Sequence, residues 1–399
     1  MFTPYRRLLA IPGALRFSLA GFIFRMPISM DPLAIIFIVF HASHSYALAG
    51  SIAAVGEIVV TIALPFWART SDRIGQSRTL YMVIPARAIS LLTFILLVSY
   101  HAPVWSWFLT IIAVEASVIN AGGLVRRRWS WTLAEDKELL NTAYSYESLM
   151  DECIFILGPV LATLCATLIA PSAALIASLI FMLVGSSIFI LQKSSEPPPH
   201  PRDEVTPHPP VMRNKTVQAV VLPFIFLGAF FSSVGLVVVA YAQEQHAVSR
   251  TGLLLAIWAS GSAIAAFVNG SIKWRINHAR KFLTFFPILT LLSVPFLFVN
   301  NLTTLSIALF CNGLGIAPLL VSAYGVAEAA VPPGQITETL AWVFSGLPVG
   351  GAIASALTGA IIDNYGASRG FLVPVIALSC ALAMSLPYFH TWNRLRSAP

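Results

Sequence analysis

The chain has 399 residues, 57% of them hydrophobic and only 10% charged, with a formal net charge of +7 at pH 7. Its mean hydropathy of +0.80 excludes an ordinary soluble domain, which has no use for so much apolar surface. The excess of positive charge is no nucleic-acid signal either, because the basic residues are spread over short segments between apolar runs, and no nucleic-acid partner is expected.

Twelve apolar runs follow one another, at about 17–41, 46–68, 78–100, 103–125, 142–169, 172–192, 216–242, 250–271, 281–299, 303–326, 336–361 and 367–388. Each is long enough for a helix to cross a bilayer core, which takes about 20 residues. With the N-terminus placed inside, nearly all Lys and Arg residues fall on the inner side. Only Arg250 and Arg369 fall outside, while Arg25 and Arg87 lie within runs. The positive-inside rule therefore predicts a multi-pass protein of the cell (inner or plasma) membrane with both termini cytoplasmic. The N-terminus shows no cleavage site of a signal peptide, so the first span is expected to be retained.

Between the second and third runs lies Ala68 to Leu80, A-R-T-S-D-R-I-G-Q-S-R-T-L. It reads as a tight cytoplasmic turn, with Gly75 supplying the positive φ a sharp reversal needs and Arg73 and Arg78 facing an anionic membrane surface. A second copy, Gly270 to Phe282, lies half a chain away, and its Arg275, Ile276 and Arg280 fall under Arg73, Ile74 and Arg78. Asn277 falls under Gly75. A turn recurring at half-length implies a duplicated bundle, a hallmark of secondary transporters, with the substrate site where the halves meet. The expected domains are a six-helix bundle over 1–192, a Pro-rich cytoplasmic linker over 193–215 and a second six-helix bundle over 216–399.

The first turn resembles the loop signature of the major facilitator superfamily, G-x-L-x-D-R-x-G-R-K. Asp72, Arg73 and Gly75 match it and Arg78 supplies a nearby charge. Ala68, Thr70, Gln76 and Ser77 depart from it. The resemblance implies an all-α fold of twelve transmembrane helices in two pseudo-symmetric six-helix bundles. It also implies that Asp72 points at the N-terminus of helix 11 and latches the cytoplasmic side, with Arg126 to Arg128 as residues that hold it. Asp363-Asn364-Tyr365-Gly366 is similar to the signature too. It lies on the opposite side in this topology and is read as an ordinary turn.

Ionisable groups at membrane depth are costly and are functional candidates by default. Almost all sit in the N-terminal half: Arg25 and Asp31 on helix 1, Glu57 on helix 2, Arg87 on helix 3, Glu115 on helix 4, and Glu147, Asp151 and Glu152 on helix 5. Glu147 and Asp151 are four apart and share a helix face. Two such carboxylates in a low dielectric resist joint ionisation, which suits a proton carrier. The alternative is a static network in which Arg25 or Arg87 compensates them. Pro32, after Asp31, is expected to kink helix 1. Gly158-Pro159 on helix 5 marks a further bend and close helix contact. It resembles, loosely, an element of the superfamily's proton-coupled drug-efflux antiporters.

No nucleotide loop, nucleophile motif or His/Cys cluster with metal spacing is present, so neither an enzyme nor a cofactor or metal is expected. His200 and His208 lie among the linker prolines and read as solvated, and the four cysteines read as packing residues. The expectation is a monomeric secondary transporter, embedded in the lipid bilayer, whose partners are protons and a small organic solute. Efflux of an amphipathic or drug-like compound in exchange for protons is the first reading. Proton-linked uptake of a sugar or organic acid, and a non-transporting receptor or scaffold, are the alternatives.

Overall fold

The computed structural model describes residues 3–199, 211–272, 278–331 and 336–388. Lys273 to Asn277 of the second basic turn, and the linker histidines, lie outside them. Among the described residues all regular structure is helical, and twelve helices are long and apolar enough to span a membrane. Helices 1 to 6 are Ala14–Ser43, Tyr46–Ile74, Gln76–Ser99, Val104–Thr132, Glu138–Leu168 and Ala173–Leu191. Helices 7 to 12 are Val217–Glu244, Val248–Asn269, His278–Phe298, Leu302–Ala327, Ser345–Tyr365 and Ala367–Ser385. The chain separates into two units. One comprises 1–43 and 59–204, and the other 44–58 and 205–399. Helix 2 thus continues from one unit into the other, its first residues clustering with helices 7 to 12.

Helices 1 and 4 are interrupted where uniform hydropathy hides the break. Helix 1 consists of Ala14–Arg25 and Pro27–Ser43. Its discontinuity is at Met26–Pro27, not at Pro32, which stays inside the second piece. Pro27 has no N–H to offer, and the Met26 N–H bonds the Ile23 carbonyl at 3.2 Å in a tighter turn. Helix 4 consists of Val104–Ala116 and Ala121–Thr132. The Asn120 side chain accepts from the Gly123 N–H at 2.9 Å and starts the second piece. A side chain that offers the backbone this alternative partner, followed by two glycines, favours a new N-terminus over continuation.

The ends of helices 3 and 7 share one device. His101 and His246 have φ of 50° and 53°. The next N–H in each case reaches back five residues, Ala102 to Leu97 at 2.9 Å and Ala247 to Ala242 at 2.8 Å. These are Schellman terminations built with histidine instead of glycine. Gly75 adopts the expected positive φ, 95°.

Glycine sets how closely helices pack. In the second unit a Cβ on Gly228 would stand 1.8 Å from the Leu347 carbonyl oxygen, and one on Gly350 only 1.6 Å from that of Ile225. Helices 7 and 11 therefore meet backbone to backbone, as small residues allow in a membrane. In the first unit, Gly158 approaches Ser29 on helix 1, whose hydroxyl bonds the Ile154 carbonyl at 2.9 Å. Gly158-Pro159 is thus a contact point between helices 1 and 5, within an unbroken helix 5.

Gly350→Ala is expected to force these backbones apart, at a cost of about 1–3 kcal/mol. It should lower the fraction of detergent-solubilised protein that stays monodisperse after heating. Gly235, with open space around its Cβ position, is the control. Gly235→Ala should be neutral or slightly stabilising, because it removes only the flexibility of a mid-helix glycine.

Candidate functional site

The first unit contains two buried charge clusters of different composition. The first joins helices 1, 4 and 5. Arg25 donates to Glu147 at 2.5 Å, to Asp151 at 2.7 Å and to the Gly21 carbonyl at 3.0 Å. Arg126 donates to the other Asp151 oxygen at 2.5 Å. Glu147, fully buried, also accepts from the Ser18 hydroxyl at 2.8 Å and the Trp129 indole N–H at 2.7 Å. Two guanidinium groups thus face two carboxylates, and every Glu147 oxygen has donors. The i, i+4 spacing of Glu147 and Asp151 puts both on the helix 5 face that meets Arg25, as the sequence implies. Glu152, one position on, is half-buried and has no ion-pair partner among the described residues.

The second cluster joins helices 1, 3, 4 and 6. Arg87 donates to Asp31 at 2.7 Å and to the Val114 carbonyl at 2.8 Å, with Glu115 at a longer 3.5 Å. The Ser178 hydroxyl donates to the second Asp31 oxygen. All three charged groups are buried. The break in helix 4 makes this arrangement possible. Val104–Ala116 ends here in a tighter turn, in which the Val114 carbonyl accepts from the Ser117 N–H at 3.2 Å and still has a lone pair for a second donor. Arg87 is that donor, and the Trp67 indole N–H donates to the Ala116 carbonyl at 2.7 Å. The cluster holds one cation against two carboxylates and the negative end of a helix dipole. It therefore carries surplus negative charge unless a proton or another cation is added.

Around the signature turn, Asp72 is bound by Arg127, not by Arg126, whose guanidinium is engaged with Asp151. Arg73 and Arg78 are exposed. Arg128 is buried, stacks 3.6 Å over Phe189 and donates to Gln76, the Gln192 carbonyl and the Ser195 hydroxyl, each at 3.0 Å. Glu196 accepts from the Ser77 N–H at 2.7 Å and from its hydroxyl at 2.5 Å. It thereby caps the start of helix 3. The triple Arg therefore serves three different tasks, and the start of the predicted linker is fastened to the turn. Neither role of Glu196 or Arg128 is visible in the sequence beyond the presence of a charge.

Glu57 lies in the second unit. A Cβ on Gly351 would come within 3.7 Å of its carboxyl carbon and 2.5 Å of the Ser232 hydroxyl. It faces helices 7 and 11. No group of His, Cys, Asp and Glu suited to a metal ion occurs among the described residues.

Residues 220–398 match the family model of the Major Facilitator Superfamily. The MFS-type transporter ppzB of Metarhizium rileyi (strain RCEF 4871) is 25% identical over 143 residues, which is 36% of this chain and 29% of that protein. The aligned stretch thus spans less than a third of that relative. The crystal structure of the nucleoside transporter NupG superposes with a TM-score of 0.72 at 12% identity, covering 95% of this chain and 98% of that one. A bacterial homolog of the human lysosomal transporter Spinster, inward-facing and occupied, gives 0.71 at 14% identity over 100% and 99%. The fold is that of the major facilitator superfamily.

Removing Arg25 tests how the first cluster holds the bundle. Arg25→Met leaves Glu147 buried without its cation and should destabilise the protein by about 3–5 kcal/mol. Arg127→Ala breaks an exposed pair and should change stability by roughly 0–1 kcal/mol. Thermal unfolding of the two variants in one detergent checks the contrast.

Proposed function

We propose that the chain is a proton-coupled secondary transporter, in which Glu115 and Asp31 share an exchangeable proton beside Arg87. The observation that carries this reading is the surplus carboxylate of that buried cluster. Two carboxylates and one guanidinium cannot all stay charged in a low dielectric without a further positive charge. Glu115 is the weaker-held partner, at 3.5 Å against 2.7 Å for Asp31, so the proton resides on Glu115. The Arg25 cluster, by contrast, is already neutral in sum, which favours a structural role for Asp151 and makes it the weaker candidate for the carrier.

The cargo is a small amphipathic compound, neutral or cationic, exported by alternating access in exchange for protons. Surplus negative charge disfavours an anion. The Arg87 guanidinium that would bind a carboxylate substrate is engaged with Asp31, Glu115 and a backbone carbonyl, which counts against organic-acid uptake. Loss of the proton at one membrane face leaves the cluster with a net negative charge that a cationic compound can neutralise, so the two ligands compete for one site. In this scheme Asp72, Arg73, Gly75 and Arg78 form the cytoplasmic turn, and Arg127 holds Asp72 when it is not engaged elsewhere.

The test uses proteoliposomes with an internal pH dye and an imposed proton gradient, screened with pooled dyes, drugs, sugars and organic acids. A compound-dependent collapse of the gradient is expected from amphipathic compounds. Glu115→Gln should reduce that proton flux at least about a hundredfold, the scale of one lost general proton-transfer group, while exchange of a neutral compound across the membrane persists. Asp151→Asn should keep its dependence on the gradient. Full proton flux in Glu115→Gln would refute the assignment of the proton to Glu115.

A further inference from the structure

The turn after helix 11 is not an ordinary one. Asp363 accepts from the Tyr46 N–H at 2.9 Å, the Ala47 N–H at 2.8 Å and the Ser45 hydroxyl at 2.7 Å. Ser45 in turn accepts from the Leu48 N–H at 3.1 Å. The first N–H groups of helix 2, which no intrahelical partner can serve, are thus bound by a carboxylate from helix 11, directly or through Ser45. The turn that presents Asp363 is itself fixed. Gly366 has φ 85°, and Glu244 at the end of helix 7 accepts from the Ala367 N–H at 2.6 Å.

Below this cap, helices 2 and 11 are in backbone contact. A Cβ on Gly359 would stand 2.2 Å from the Tyr46 carbonyl oxygen, and one on Gly50 would stand 2.2 Å from that of Ser355. All these residues belong to the second unit. Helix 2 has 29 residues, so its two ends are about 43 Å apart at 1.5 Å per residue. One end carries the Asp72 turn and the other receives Asp363. The two turns share the spacing D-x-x-G and nearly the same glycine backbone, φ 95° and ψ 157° at Gly75 against φ 85° and ψ 163° at Gly366.

We infer that Asp363 is a positioning residue of the transport cycle. It latches the start of helix 2 to helix 11 and closes the membrane face opposite the Asp72 turn, and that face opens only when the three hydrogen bonds to Asp363 are released. The inference rests on the transport reading in that a latch needs a cycle, but not on the proton site or the cargo.

The experiment needs no substrate. In the full chain in membrane vesicles, with the four cysteines replaced by alanine, a single cysteine is introduced at Ser355, in the seam. In a second protein it is introduced at Thr358, which is buried against Ser233 on helix 7. Labelling with a membrane-impermeant maleimide from the face of Asp363 is followed over time. Asp363→Asn should raise the labelling rate at position 355 about fivefold or more, the scale of a lost helix cap, and leave that at 358 unchanged. Ser45→Ala, which removes one of the three bonds to Asp363, should give the same pattern more weakly and carries the test alone if Asp363→Asn does not fold. A rise at both positions means general loosening, and a rise at neither means no latch. Either result overturns the proposal. Loss of proton flux in Glu115→Gln has no bearing on this readout, so the two readings fail separately.

Discussion

A charge at membrane depth persists only where protein groups replace the water it has lost, and this constraint shapes the first unit. Arg87 illustrates the requirement. Its guanidinium is surrounded by the Asp31 carboxylate, the Val114 carbonyl and, farther off, Glu115. No single helix can supply such a set. Asp31 comes from helix 1, the carbonyl from helix 4 and the hydroxyl that steadies Asp31 from helix 6. Ordering four helices around one cation is costly in conformational freedom. The return is a fixed arrangement in which the addition of one proton changes the net charge.

The broken helices serve the same requirement. An uninterrupted helix 4 would spend the Val114 carbonyl on its own backbone. Ending at Ala116 replaces that bond by a 3.2 Å one from the Ser117 N–H, opens the carbonyl to Arg87 as well, and sets the helix dipole against the cation. Asn120 then restarts the helix, so the next turn loses nothing. In helix 1, the interruption at Met26–Pro27 falls between Arg25 and Asp31, the residues that belong to the two different clusters. Irregular backbone at membrane depth is tolerated where it lies within protein, and both breaks are lined by residues of the clusters they separate.

Much of this was legible in the sequence, and the rest was not for physical reasons. The spans follow from the length of apolar runs, and the Gly75 turn from the need for positive φ. The Arg25–Glu147–Asp151 network was half legible, because i, i+4 spacing places two carboxylates on one face and a buried pair demands a cation. Which arginine takes Asp72 was not. Arg126, Arg127 and Arg128 are adjacent but point about 100° apart around a helix, so each meets different neighbours, and sequence order says nothing about which. The break at Asn120 had a signal, Asn-Ala-Gly-Gly within an apolar run, that hydropathy averages away. Pro27 and Pro32 look alike in sequence, yet only the first coincides with a break. Asp363 was passed over because its partners, Ser45 to Ala47, lie more than 300 positions away in the chain.

The contrast between the two clusters bears on why both exist. A balanced pair of guanidinium and carboxylate groups adds little net stability over apolar packing of the same volume, since desolvation offsets attraction. Its use is to fix geometry, and Arg25, held by three acceptors on helices 1 and 5, fixes how those helices meet next to the Gly158 contact. A cluster with one carboxylate too many cannot be justified in that way. It is less stable charged than a balanced one and becomes comfortable only with an added positive charge. In the proposed reading the Arg25 network supplies the rigid frame that such a cluster requires, because a proton on Glu115 acts usefully only if helices 1 and 4 cannot simply drift apart to relieve the strain. The two clusters divide one task. In the proposed reading the balanced one holds the helices, and the unbalanced one takes up the proton.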